Sequence, residues 1–134
     1  MNNLWYQDAI TSVYSRAKAI LTSKLKKDYK DLYVTDEDDS IQNPKFPTVY
    51  FKFLQPSERG MDLEGSTINA ISLTVQVEVY AKDKISANYI SGVLVDAMKS
   101  MRFRATMPDF ENNSTDYKRT VSRYQRVIGN SDTI

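Results

Sequence analysis

Within the stretch from Asn69 to Ala81, apolar and polar side chains alternate from Ile71 onwards. Ile71, Leu73, Val75, Val77 and Val79 take every second position, with Ser72, Thr74, Gln76, Glu78 and Tyr80 between or just after them. Successive strand residues point to opposite faces, so this period predicts a β-strand with one apolar and one polar side. At about 3.3 Å per residue it could run roughly 40 Å, well beyond an average strand of about 5–6 residues. A strand this long and one-sided needs a layer laid against it.

Two segments have the period to supply that layer. Over residues 3–29, Leu4, Ile10, Val13, Tyr14, Ala17, Ile20, Leu21 and Leu25 recur at helical spacing. Asn2 or Asn3 can cap the first turn. Lys24, Lys26, Lys27 and Lys30 crowd the far end, where cations complement the helix dipole; the alternative use of that cluster is a contact to an acidic partner. A second helix is expected over 84–101, with Ile85, Tyr89, Ile90, Val93, Leu94, Ala97, Met98 and Met101 on its buried side. Gly92 in mid-helix costs roughly 1 kcal/mol relative to Ala, which suggests the close approach of backbone or a bulky neighbour.

The remaining strand signals are shorter. Leu32-Tyr33-Val34 is a possible strand, and Thr48 to Leu54 is a clearer one, with Val49, Phe51 and Phe53 on one face. Pro56, Gly60 and Gly65 interrupt residues 55–68, which read as a projecting arm that orders against a partner or else as a mobile loop. Glu58, Arg59, Met61, Asp62, Leu63 and Glu64 would be its contact residues. Arg102 to Thr106 is strand-like until Met107-Pro108-Asp109, and a polar turn is expected around Glu111 to Ser114. Tyr117 to Ile128 is a last strand with neither face cleanly apolar, a pattern at odds with a plain core strand of a monomer. The expectation is one α+β domain over 1–134. It would have two layers, a mostly antiparallel four-stranded sheet with two long helices packed on one face, and a loose tail at 129–134.

Composition narrows the chemistry. Cys and His are both absent from the 134 residues, which removes thiolate nucleophiles, the commonest general base and the commonest metal ligand. Eighteen basic and seventeen acidic residues give a net charge of +1, so no global field draws the protein to nucleic acid or membrane. The N-terminal residues lack a signal-peptide pattern, and no apolar run reaches the ~20 residues that span a bilayer. The expected setting is a cytoplasm or an assembled particle. Asp36-Glu37-Asp38-Asp39 lacks the alternate ligands and glycine of a calcium loop and reads as a solvated loop. Glu58, Asp62 and Glu64 are set aside as a catalytic group for the same reason. No phosphate-binding, dinucleotide or nucleophile-elbow pattern occurs, and no catalytic residue, metal site or cofactor is expected.

One constellation stands out. Arg102, Arg104, Lys118, Arg119, Arg123 and Arg126 are interleaved with Phe103, Tyr117 and Tyr124. Arg and Tyr together suit a protein–protein interface. An exposed amphipathic strand and a single-stranded nucleic-acid surface are the alternatives, and the aromatic motif of ribonucleoprotein sheets is missing.

Taken in order, the stretches Phe46-Pro47-Thr48-Val49-Tyr50-Phe51, Val79-Tyr80, Met98-Lys99-Ser100-Met101-Arg102-Phe103 and Tyr117-Lys118-Arg119 to Arg123-Tyr124 resemble the tail terminator (tail completion) proteins of long-tailed bacteriophages and related tail-like particles. The resemblance implies a structural virion protein that is no enzyme. It implies a hexameric ring at the head-proximal end of the tail tube, with tube protein and head connector as partners and transient contact with passing DNA. Lys118, Arg119, Arg123, Tyr124, Arg126, Arg102 and Arg104 would then serve subunit or partner contacts. The alternatives are another head–tail joining protein and a small sheet-based nucleic-acid-binding module.

Overall fold

The computed structural model describes residues 4–37, 46–61, 68–113 and 117–134. The eight elements in chain order are α1 (Trp5–Leu25), β1 (Tyr33–Thr35), β2 (Thr48–Phe53), β3 (Ser57–Met61), β4 (Ile68–Ala81), α2 (Lys84–Ser100), β5 (Arg104–Asn113) and β6 (Lys118–Gly129). The fold is α+β, with two helices and a mostly antiparallel sheet.

β4 is the alternating stretch. Its edge towards the N-terminal strands pairs antiparallel with β2 over Val75–Tyr80 and with β3 over Ile68–Ser72. The other edge pairs with β6 from Ala70 to Ala81. The sheet order is β1-β2-β4-β6-β5, with β3 beside β4 off that path, so it has six strands rather than four. β1 runs parallel to β2, and every other pair is antiparallel.

The two strands beyond four are β1, at the possible strand Leu32-Tyr33-Val34, and β3, from a segment where local signals point away from strand; β5 extends the short strand expected over Arg102 to Thr106. Pro56 and Gly60 do not prevent β3, because register shifts between Glu58 and Met61 let an irregular strand follow the exposed edge of β4. The 55–68 stretch is therefore an edge strand in its first part, and Asp62, Leu63 and Glu64 lie outside the described residues. Likewise β5 continues through Pro108 with register shifts between Ala105 and Phe110. A proline on an edge strand removes no ladder bond that the sheet needs.

The core is built on the predicted aliphatics. Ile71, Leu73, Val75, Val77 and Val79 are all buried, together with Val49 and Phe51 of β2. α1 adds Val13, Ala17, Leu21 and Leu25, and its Tyr14 ring meets Phe51 edge-on at 5.7 Å. It is tied to the sheet again where Trp5 Nε1 donates to the Ile68 carbonyl at 3.0 Å. α1 starts with Leu4 at its cap position and no side-chain cap, and Asn2 and Asn3 lie outside the described residues.

α2 is capped by Asp83, whose carboxylate accepts from the Ser86 amide at 2.7 Å. It buries Ala87, Ile90, Leu94, Ala97 and Met98. Two residues expected on that face are instead exposed, Ile85 at 82% and Tyr89 at 49%. The buried stripe runs through Ala87, Ile90, Ser91, Leu94, Ala97 and Met98 at helical spacing, and Ile85 and Tyr89 fall to the side of it. Gly92 is also exposed, and a Cβ built there meets nothing within 4 Å. No close approach explains it.

β6 is the clearest departure from expectation. Its mixed faces suggest a strand outside the core, yet it lies inside the sheet between β4 and β5. Thr120, Ser122, Tyr124, Arg126 and Ile128 are all buried. The polar ones find partners within the chain. Ser91 and Thr120 hydroxyls lie 2.7 Å apart, Ser122 donates to the Tyr124 hydroxyl at 3.0 Å, and Arg126 donates to the carbonyls of Met101 and Thr133. Buried polar atoms are tolerated when paired in this way.

The tail beyond β6 is held rather than loose. Asn130 donates to the Asn69 carbonyl, Asp132 accepts from the Gly129 amide at 2.8 Å, and Ile134 packs against the core.

Two substitutions test this packing by equilibrium urea unfolding. Gly92→Ala should stabilise by about 0.5–1 kcal/mol, since it gains helix propensity and meets no clash. Leu94→Ala should destabilise by about 2–5 kcal/mol. A loss of stability in Gly92→Ala would mean that the helix is packed against something at that position.

Candidate functional site: the polar face and the basic edge of the sheet

The residues that alternate with the core aliphatics form the second face of the sheet. Register decides which of them meet. Tyr80 lies opposite Arg119, Gln76 opposite Arg123, Thr74 opposite Gln125 and Ser72 opposite Val127. Directly opposed and diagonal side chains on one face are within reach of each other.

Glu78 is the hub. Its Oε1 accepts from Tyr80 Oη at 2.7 Å, from Arg119 Nε at 2.8 Å and from Arg119 Nη2. Oε2 accepts a longer bond from Gln76 Nε2 at 3.4 Å. Gln76 Oε1 in turn accepts from Arg123 Nε at 3.0 Å, and further along the face Gln125 donates to Ser72 Oγ at 2.9 Å. The chain of bonds thus runs from Tyr80 through Glu78 and Gln76 to Arg123, coupling β4 to β6.

Glu78 is buried at 6% exposure, which by itself would raise its pKa. The hydrogen bonds from Tyr80 and Arg119 and the charge of Arg119 outweigh burial and hold the carboxyl below its usual range. For Tyr80, burial and then the Glu78 hydrogen bond push the phenol well above its ordinary value. Arg119 is raised as well: burial acts against its charge, but the bond and charge of Glu78 prevail. A carboxylate already accepting from Tyr80, Arg119 and Gln76, and held acidic, is a poor proton acceptor near neutral pH. The network fastens two strands together.

At one corner of this face three rings meet in series, Phe46 to Tyr117 at 6.1 Å and Tyr117 to Tyr80 at 5.6 Å. The Arg119 guanidinium lies 5.9 Å from the Tyr80 ring centroid, within cation–π range.

The basic set seen in the sequence therefore divides. Arg119 and Arg123 belong to the polar network, and Lys118 is half-buried opposite Ala81. Tyr124 has no exposure and sits in the core, so the folded chain does not present it to a partner. Arg102, Arg104 and Arg126 instead gather with Arg59, brought in by β3, around a recess of about 710 Å³ at the start of β5. Asp132 is the carboxylate on its wall, and Ala105, Gln125 and Val127 complete the lining.

Two features of the recess are costly. Arg126 is only 7% exposed and bonds to two carbonyls, with no carboxylate within ion-pair distance among the described residues. Burial, and secondarily the charge of Arg102, lower its pKa. Arg102 has φ of 67°, and the bonds Phe103 N to Met98 O and Arg102 N to Lys99 O form a Schellman closure of α2. Glycine is favoured at that position, because a side chain there costs roughly 1–2 kcal/mol.

The sequence signal for the hub was present but unread. Glu78 and Tyr80 stand on the polar side of the predicted strand, and only pairing with β6 brings Arg119 to them. Among the described residues no group of three or more acidic side chains could hold a metal ion. No helix among them is long and apolar enough to cross a membrane. Comparison with known proteins found no matching family model and no matching curated protein.

Glu78→Gln should cost about 1–3 kcal/mol at neutral pH, because Arg119 loses its charged partner. The Glu78 pKa is lowered on folding. Its contribution is thus complete above the unfolded value of roughly 4.3 and disappears as pH falls through the folded value. Urea midpoints of the wild type and of Glu78→Gln should therefore converge on acidification. A gap that persists at about pH 2 would assign the cost to packing instead.

Proposed function

We propose that this chain is a structural subunit of the tail-terminator type. It forms a ring on the head-proximal end of a phage tail tube, ends tube polymerisation and joins the tail to the head connector. The observation that carries this reading is spatial. The four stretches that carry the resemblance are distant in sequence, yet residues from three of them meet at one corner, as Phe46, Tyr117, Tyr80 and Arg119. The fourth supplies the end of α2, with Arg102 on the wall of the basic recess.

The rest of the molecule suits a part that acts by fit. Both helices contact residues of the apolar register, Tyr14 on Phe51 and Ser91 on Thr120, which leaves the polar face and the outer strands β1, β3 and β5 for neighbours. Outer strands carry unpaired backbone groups that a second chain can use. The partners in this reading are further copies of the chain in a hexameric ring, the tube protein and the connector. DNA in the channel touches basic residues only in passing, and the location is the tail of the virion. The chain performs no covalent chemistry and needs no cofactor.

Arg119 is already committed to Glu78, so its reversal would harm the fold before it harmed a contact. Arg123 and Arg104 are the better probes. Electron microscopy of particles produced without the protein should show overlong or headless tails. Light scattering of the purified protein, alone and with tail tubes, should show a ring or tube-bound assembly. Normal tails in its absence, or a lasting monomer that binds oligonucleotide with steep salt dependence, would replace this reading with the nucleic-acid module.

A further inference from the structure

The basic recess has a counterpart in the same chain. Asp36 and Glu37 follow directly on β1 and are exposed, and in sequence they open the run Asp36-Glu37-Asp38-Asp39. Neither carboxylate makes an ion pair among the described residues, and Lys18 of the adjacent α1 pairs with neither. Arg59, Arg102 and Arg104 are likewise exposed and without an ion pair among the described residues. Asp36 and Glu37 follow β1 at one edge of the sheet, while Arg102 and Arg104 stand at the start of β5 on the other, with Arg126 on β6 and Arg59 reaching the recess from β3. Four strand spacings separate β1 from β5, about 19 Å, so Asp36 and Glu37 do not neutralise Arg102 and Arg104 within one molecule.

The geometry points to a head-to-tail contact in which the Arg59, Arg102, Arg104 and Arg126 recess receives the Asp36–Glu37 edge of a second copy. The inference rests on the ring reading above and says which surfaces meet. A planar guanidinium binds a carboxylate through two parallel hydrogen bonds; Arg59, Arg102 and Arg104 are exposed around the hollow, and the buried charge of Arg126 stands behind them. Asp132 is a carboxylate on the same wall, and three exposed guanidinium groups exceed what one carboxylate can occupy. The second copy is the occupant favoured here because the same chain carries the complementary charge: Asp36 and Glu37 follow the edge strand β1, while Arg102 and Arg104 stand at the opposite edge strand β5. A contact between unlike patches is heterologous: it closes into a ring or propagates as a filament, according to its rotation.

Arg102 supplies the sharpest argument. Its left-handed backbone would be easier with glycine, so the side chain is kept at a cost to the fold. Strain retained beside a hollow lined with other arginines is accounted for if the guanidinium is used there.

Association is measured by light scattering in about 0.1 M and about 1 M salt, between which the Debye length falls from roughly 10 Å to roughly 3 Å. Wild type should associate at least about tenfold more weakly in high salt. Arg102→Gly should keep or raise the melting temperature yet weaken association by about tenfold. R59E/R104E and D36K/E37K should each fail to assemble alone, and an equimolar mixture of the two should assemble, since each then offers the other an opposite charge on both edges. Variants that assemble as wild type does would overturn this contact and leave the ring reading standing. A wild-type chain that neither self-associates nor binds tail tubes would overturn both. If R59E/R104E loses binding to a labelled single-stranded oligonucleotide while assembly is intact, the recess is a phosphate site and the inference is wrong.

Discussion

The placement of every other strand depends on the register of β4 against β6, twelve residues paired from Ala70 to Ala81. Strand side chains alternate with a period of two, so a slip of one residue would carry Ile71, Leu73, Val75, Val77 and Val79 to the polar side together. Those five are all but completely buried, and the penalty for exposing them excludes the alternative register. With the register set, Arg119 faces Tyr80 and Arg123 faces Gln76. The polar network is thus a consequence of burial on the opposite face, and it then reinforces the register that produced it.

Charged residues in this chain play two distinct parts. In the network, Glu78 and Arg119 are withdrawn from water and each has its partner, so they add order to the sheet and leave little capacity for an incoming ligand. In the recess, Arg126 is withdrawn from water with hydrogen bonds to carbonyls, three neighbouring arginines share its sign, and Asp132 is, among the described residues, the one carboxylate on the wall. Buried cations without a carboxylate are costly, and clustering of like charge adds to that cost. The contrast separates what holds the monomer together from what is left over for contact with something else.

The proposed structural role would draw on this distribution. The core is apolar, and the buried polar atoms of β6 are satisfied within the chain, among them Thr120 by Ser91 and Arg126 by main-chain carbonyls. The outer strands β1, β3 and β5 remain at the edges of the sheet, and the tail is drawn back onto Asn69 and the core. What remains for partners is an arrangement of edges and charge, with the aromatic corner of Phe46, Tyr117 and Tyr80 beside them.

Legibility followed the range of the interaction. Period-two and helical patterns are local, so β4, β2, α1 and α2 could be read from the order of residues, as could their main core positions such as Val77, Phe51, Leu21 and Leu94. The basic set from Arg102 to Arg126 was visible too, as composition. Its division was not, because whether Tyr124 is buried, whether Arg119 finds Glu78 and whether Arg59 joins Arg104 depend on strands far apart in the chain. β3 and the continuation of β5 beyond Thr106 were missed for the same reason: Pro56, Gly60 and Pro108 argue locally against strand, while the free edges of β4 and β6 supply the hydrogen bonds that hold them. The sequence alone determined the class of fold and the face that had to be covered. Tertiary pairing decided which polar side chains are spent inside the molecule and which are left at its edge, since partners for a buried charge are recruited across strands and not along them.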